Sequence, residues 1–199
     1  MFVILCRVSP KSAASVDRRA ALLQAALATF LRYGFRKTSM DDIAREAELS
    51  RQALYGHFSD KETLFREAIQ SGLDAAMADV EVALADSAAI GRRLARALDE
   101  WSGRYLEQLG SDGVDLGEGG RAVLGTMVAD YGATFERKLA RAITDSTLAA
   151  ACKAARVTPL QLAQTLHACA RGWKYKVKTR AEFAAHMDIA VRALVPKAK

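Results

Sequence analysis

The apolar positions of this chain recur at intervals of three and four residues, the spacing that lines one face of a helix. Almost nowhere do they alternate one by one as a half-buried strand would. Leu23, Ala26, Leu27, Phe30 and Leu31 form the first stripe and predict a helix from about Val16 to Tyr33, stopped by Gly34 as a left-handed cap. A short second helix is predicted from Ser39, whose hydroxyl can cap free backbone N–H groups, with Asp41 and Asp42 favourable at its positive end. Met40, Ile43, Ala44 and Ala47 make its buried side, and it ends by Glu48. Ser50 caps a third helix through about His57, which buries Leu54 and turns Phe58 inward. Ser59 or Asp60 opens a fourth, carrying Leu64, Phe65, Ala68, Ile69 and Leu73 at helical spacing.

Beyond Gly72 longer helices are predicted over 75–84 and 90–109. Residues 110–120 hold five glycines and three acids and read as a loop. The helical pattern resumes at Arg121 and runs to about Ala155, with a break at Gly132. Thr158-Pro159 starts a helix that reaches Gly172, proline being tolerated in the first turn. Thr179 and Glu182 form a capping box for a last helix that ends before Pro196. The chain reads as all-α, without internal repeats.

Composition changes this picture little. A chain of 199 residues can bury a real core in one domain or two. No apolar run approaches the roughly 20 residues of a membrane helix, so no membrane partner is expected. Met1 to Val8 lacks the features of a signal peptide, and residues 1–15 read as a disordered leader to a cytoplasmic protein. Cys6, Cys152 and Cys169 are too widely separated for a zinc or redox motif, so free thiols are expected and no metal or cofactor. The acidic glycine loop at 110–120 fits no calcium motif by spacing. The net charge is +6, and most of the excess lies early: residues 1–66 hold 11 Lys/Arg against 7 Asp/Glu. That balance suits a polyanionic partner.

The second and third helices cannot bury their apolar faces alone. Packed on the first, they make a three-helix helix-turn-helix unit whose third helix begins Ser50-Arg51-Gln52-Ala53. Arginine and glutamine suit guanine and adenine edges in the major groove, and Ala53 can meet a thymine methyl. Ser50, Tyr55, His57 and Lys61 carry groups able to reach phosphates, and Thr38 can do so from a helix start.

These residues carry a resemblance. Leu22-Leu23, Ala25-Ala26, Phe30, Gly34-Phe35, Thr38-Ser39-Met40-Asp41-Asp42-Ile43-Ala44, Leu49-Ser50, Leu54-Tyr55-Gly56-His57-Phe58, Lys61-Glu62 and Leu64-Phe65 resemble the DNA-binding domain of the TetR/AcrR family of transcriptional regulators. The resemblance covers about 50 residues and implies a homeodomain-like helix-turn-helix domain over 16–72. It places Arg51, Gln52 and Ala53 at base-facing positions and Thr38, Ser50, Tyr55, His57 and Lys61 at phosphate-facing ones. Glu48 stands where the family often has glycine, and Gly56 where a bulkier residue is common. Glycine there weakens the recognition helix.

The resemblance further implies a helical ligand-binding and dimerisation domain over 73–199. It implies a homodimer on double-stranded DNA, most often a repressor released from a palindromic operator by a small-molecule effector. The last two helices are where such proteins usually pair. One stripe there holds Leu160, Ala163, Leu166, His167 and Ala170, and another Phe183, Met187, Ala190, Val191 and Leu194; either could instead face its own core. Trp101, Tyr105, Tyr131, Phe135 and Trp173 are candidate pocket residues for an apolar or aromatic effector. Residues 171–180 hold five basic groups and no acid, read as a solvated connector. Two rival readings remain. An enzyme finds no metal-spaced pair, nucleophile elbow or phosphate loop. A structural DNA binder would bind without sequence preference.

Overall fold

The computed structural model describes residues 10–108 and 117–194, with side chains over 18–108 and 119–194. All regular structure among the described residues is helical. The chain divides into two units: one runs to Gly72 and takes in the segment ending at Val123, and the other holds the chain from Leu73 and again from Leu124.

The first unit is built on α1 (Pro10–Lys37), α2 (Met40–Glu46), α3 (Arg51–His57) and the start of α4 (Lys61–Ala85), with most of α6 (Gly117–Leu124). Helix α1 starts at Pro10, inside the expected leader, because no glycine or second proline interrupts the chain before Gly34. The rest of that leader, residues 1–9, lies outside the described residues. At Gly34 the backbone leaves the helix with φ 78° and ψ 162°, a region that glycine enters without steric cost. Leu22, Ala26, Phe30, Ile43, Leu54, Phe58, Leu64, Phe65 and Ala68 are buried. Phe65 anchors this core, its ring 4.8 Å from both Phe30 and Phe35.

Helix α4 is one unbroken helix of 25 residues, where the sequence predicted two separated at Gly72. Glycine costs a helix interior up to about 1 kcal/mol, which burial of the flanking Ala68, Ile69, Ala76 and Met77 offsets. Lys61–Gly72 belongs to the first unit and Leu73–Ala85 to the second.

The second unit adds α5 (Ile90–Leu98), a π-helical turn (Asp99–Gly103), a 3₁₀ turn (Leu106–Gln108), α7 (Met127–Thr144), α8 (Leu148–Ala154), α9 (Pro159–Trp173) and α10 (Arg180–Leu194). Its core joins Val80, Leu94, Leu98, Phe135, Leu139, Ile143, Leu166, Phe183 and Met187. The predicted helix to residue 109 instead gives way at Asp99 to the wider turn. There Gly103 lies so close to Phe183 that a methyl group in its place would sit 2.8 Å from the ring. The predicted loop over 110–120 is helical from Gly117, and 109–116 lie outside the described residues. The break expected at Gly132 falls instead at Gly125, whose φ is +55°. Gly132 is inside α7, where a Cβ would meet the His167 ring at 3.6 Å.

Helix starts follow the local caps. Thr158 and Gln161 form a reciprocal capping box for α9 behind Pro159. Thr179 accepts from the Glu182 N–H at 3.2 Å to open α10, while the Glu182 carboxylate accepts from the Lys178 N–H. Most of the expected pairing stripes on α9 and α10 faces inward, while Leu160 and Leu194 at their ends stay exposed. Ala163, Leu166, His167, Ala170, Phe183, Met187 and Val191 are buried in this unit's own core. The opposite faces stay exposed: Ala168 and Gly172 on α9, and Ala181, Ala185, Ile189 and Ala193 on α10.

Candidate nucleic-acid interface

The turn between α2 and α3 is set by backbone hydrogen bonds that close the α2 C-terminus. Ser39 caps α2 reciprocally with Asp42, and its N–H and hydroxyl both donate to that carboxylate. These bonds hold the Asp42 pKa below its usual value, with the side-chain bond to Ser39 the largest cause. At the other end the Glu48 N–H donates to the Arg45 carbonyl at 3.2 Å and the Leu49 N–H to the Ala44 carbonyl at 2.8 Å. This pair of bonds is a Schellman closure, and it puts Glu48 at the left-handed position, with φ 53°. The departure seen at Glu48 in the sequence is therefore a conformational one: a residue bearing a Cβ stands where glycine would fit without cost.

Helix α3 opens with Ser50, whose hydroxyl oxygen accepts from the Ala53 N–H at 3.1 Å. Leu54 and Phe58 fasten the helix to the core, both nearly fully buried. The other face is presented outward: Arg51, Gln52, Tyr55, Gly56 and His57 are exposed and Ala53 half-buried. Six of the eight expected contact residues, Ser50, Arg51, Gln52, Ala53, Tyr55 and His57, thus lie on or at the start of one short helix. No atom lies within 4 Å of where a Cβ would stand on Gly56.

The other two bond to backbone within their own chain. Thr38 is 2% exposed, and its hydroxyl donates to the Gly34 carbonyl at 2.8 Å. Its side chain bridges the kink at Gly34. Lys61 Nζ donates to the Phe35 and Thr38 carbonyls, each at 3.0 Å, with the ammonium 4.4 Å from the Phe35 ring centre. Two of its three donors hold the α1–α2 connection, and the third stays available on a half-buried side chain. Both side chains supply donors to backbone carbonyls in the segment from Gly34 to Thr38.

One partner on this surface was missed. Arg51 Nη1 lies 3.0 Å from Asp41 Oδ2, and its guanidinium carbon 5.6 Å from the Tyr55 ring centre. Asp41 had been read only as an acid at a helix start. A residue separation of 10 gives no helical-spacing signal, so the pair could not be found from periodicity.

In the second unit the structure brings some of the candidate effector residues together. Trp101 stacks on the buried Phe135 with ring centres 5.0 Å apart, and Tyr131 and Trp173 pack against the same core. The Tyr105 ring lies 5.8 Å from the Arg104 guanidinium carbon. Trp173 stacks on His186 at 3.6 Å. The buried His167 joins this group: Trp101 Nε1–H donates to its Nε2 at 3.2 Å, and its Nδ1 lies 2.8 Å from Glu136 Oε1. Because Nε2 accepts, the proton of the neutral ring sits on Nδ1 and is donated to Glu136. Burial pushes the His167 pKa down, Glu136 opposes the shift, and Arg171 adds to it. Among the described residues no cluster of His, Cys, Asp or Glu could hold a metal ion, and no helix is long and apolar enough to cross a membrane.

Comparison with known proteins agrees with this geometry. Residues 22–68 match the family model of the bacterial regulatory proteins of the tetR family. The transcriptional regulator YfiR of Bacillus subtilis is 44% identical over 57 residues, which is 29% of this chain and 28% of YfiR. The match thus spans little more than a quarter of that relative's length. A TetR-family regulator from a Rhodococcus species superposes with a TM-score of 0.68 at 22% identity, over 90% of this chain and all of that one. The TetR-family regulator CifR, solved with 26 bp of operator DNA, gives 0.61 at 22% identity over 87% of this chain and 94% of that one. At such identities the likeness is one of fold.

Proposed function

We propose that this chain, whose N-terminal domain belongs to the tetR family of bacterial regulatory proteins, is a DNA-binding transcriptional regulator of the cytoplasm. It acts as a homodimer, laying each α3 in a major groove of a palindromic operator. The observation that carries the reading is the outward face of α3. A helix of 7 residues, capped by Ser50 and pinned by Leu54 and Phe58, holds Arg51, Gln52, Tyr55 and His57 exposed on one rigid support. Side chains that read base edges need such a support, because an arginine or glutamine on a mobile loop loses its discrimination to conformational entropy. CifR, a protein of the same fold, was solved on its operator.

Pairing is assigned to the outer faces of α9 and α10. Ala181, Ala185, Ile189 and Ala193 make a ridge of i+4 spacing on α10, and Leu160, Ala168 and Gly172 lie exposed on α9. Ridges of small residues let two helices approach closely, and Ile189 is an apolar side chain left 51% exposed. The protein represses its target and leaves the operator when a small apolar or aromatic molecule binds the second unit. Binding shifts the dimer toward a state whose two α3 helices no longer match the half-site spacing. The aromatic group around Trp101, Phe135 and His167 supports that assignment.

A gel shift with the duplex upstream of the chain's own gene, at stated salt, tests the reading. A dimer by sedimentation that retards a palindromic duplex there, and not a scrambled one, is the expected result. A monomer that retards neither overturns it.

A further inference from the structure

Asp41 presents a problem for any protein that approaches DNA through α3. It is an exposed carboxylate on the first turn of the neighbouring helix, where an unbalanced negative charge is repelled by phosphates. Its Oδ2 meets Nη1 of Arg51 at 3.0 Å, and the ring of Tyr55, one turn along α3, lies 5.6 Å from the same guanidinium. Carboxylate and ring hold the guanidinium from two different helices. The ion pair engages Nη1 alone, so the edge formed by Nη2 and Nε is left to other acceptors. An arginine free at every bond gives up rotamer entropy when it is fixed on a base, and prior fixation reduces that loss.

Building on the base-reading role proposed for Arg51, we infer that Asp41 is a positioning residue for sequence recognition. It aims the Nη2–Nε edge of Arg51 at a guanine. In doing so it weakens binding to DNA that offers no guanine there, because a wrong base leaves the carboxylate facing phosphate with its partner unrewarded. The predicted signature is a split between specific and non-specific binding. Loss of the carboxylate lowers preference for the cognate sequence and at the same time raises affinity for an arbitrary duplex.

The test uses the full chain. Random duplexes are enriched on the wild type, and the variants Arg51→Ala, Asp41→Asn, Asp41→Glu and Glu46→Gln are then measured by fluorescence anisotropy. The probes are the enriched duplex, the same duplex with its guanine replaced, and a scrambled one. Arg51→Ala is expected to reduce the guanine preference roughly 5- to 100-fold, the range of a bidentate base contact. Asp41→Asn should reduce the same preference by about 3- to 10-fold, as expected for coupled residues in contact, while binding the scrambled duplex more tightly. Asp41→Glu restores part of the preference. Glu46→Gln removes a charge from the same helix without touching Arg51, and raises all affinities alike. An Asp41→Asn variant with unchanged guanine preference, or with cognate and scrambled affinity raised equally, overturns the inference and leaves the regulator reading standing. An unchanged preference in Arg51→Ala overturns both the base-reading role and the inference resting on it. Enrichment of no sequence at all overturns the regulator reading itself.

Discussion

Replacing Glu48 by glycine should make this protein more stable, although the change removes a side chain and touches no core residue. Glu48 holds the left-handed position of the Schellman closure after α2, at φ 53°, fixed by the bonds from its own N–H to Arg45 and from Leu49 to Ala44. An L-residue in that conformation is strained by roughly 1–2 kcal/mol through contact of its Cβ with the following carbonyl. Glycine relieves the strain but has more freedom to lose from the unfolded chain, a cost of about 0.4–1 kcal/mol. The balance favours Glu48→Gly by about 0.5–1 kcal/mol, which moves a urea midpoint up by roughly 0.3–0.5 M at unchanged m. Glu48→Ala is the control, since it removes the carboxylate while keeping the Cβ, and it should leave the midpoint near the wild type. The difference between the two variants isolates conformation from charge. A glycine variant no more stable than the alanine variant would refute the reasoning, because strain at φ 53° would then contribute nothing.

Gly56→Ala should tighten DNA binding and raise stability by up to about 1 kcal/mol, since a Cβ meets nothing within 4 Å; unchanged affinity in anisotropy would show that α3 is already fully ordered without DNA. Gly103→Ala should destabilise the second unit by about 1–3 kcal/mol, because the new methyl would sit 2.8 Å from the buried Phe183 ring; a urea midpoint equal to the wild type would count against that packing. For His167 the folded pKa lies below the unfolded value of 6.5, so the unfolded chain binds the extra proton first and stability falls as pH drops through that value toward the lower folded one. Melts at pH 7.5 and 5.5 should show His167→Gln losing less on acidification than the wild type. Ile189→Asp, at a side chain 51% exposed, should leave the fold intact by circular dichroism and yield a monomer by sedimentation.

What the sequence revealed and what it hid divide by the range of the interactions. Caps are local: Ser39 with Asp42, Ser50 with Ala53 and Thr158 with Gln161 lie within three residues of each other, so a reader of the sequence can place those helix starts. Glycines are ambiguous, because the same residue breaks a helix or lets a neighbour approach. Gly34 and Gly125 adopt positive φ, whereas Gly132 continues its helix beside His167 of α9 and Gly103 makes room for Phe183 of α10. Only the tertiary partner decides between those roles. Periodicity likewise groups Leu166 with Ala170, and Met187 with Val191, without telling which side their own chain covers. Here the more apolar side faces inward and the side of small residues is left outward.

The same limit explains why Thr38 and Lys61 look alike in sequence to Ser50 and His57 yet take different work. A hydroxyl or ammonium near a DNA-facing helix has two competing demands, free backbone carbonyls of its own fold and phosphates of the partner. At the Gly34 kink inside α1 the backbone departs from helical geometry, and a buried carbonyl left without a donor there would be costly. Thr38 and Lys61 therefore go to Gly34, Phe35 and Thr38 carbonyls. Ser50 satisfies its own helix start through an oxygen lone pair, which leaves its hydroxyl proton to donate elsewhere. A resemblance between sequences assigns these residues to one surface. The hydrogen-bond requirements of a single broken helix divide them into those that build the surface and those that stand exposed upon it.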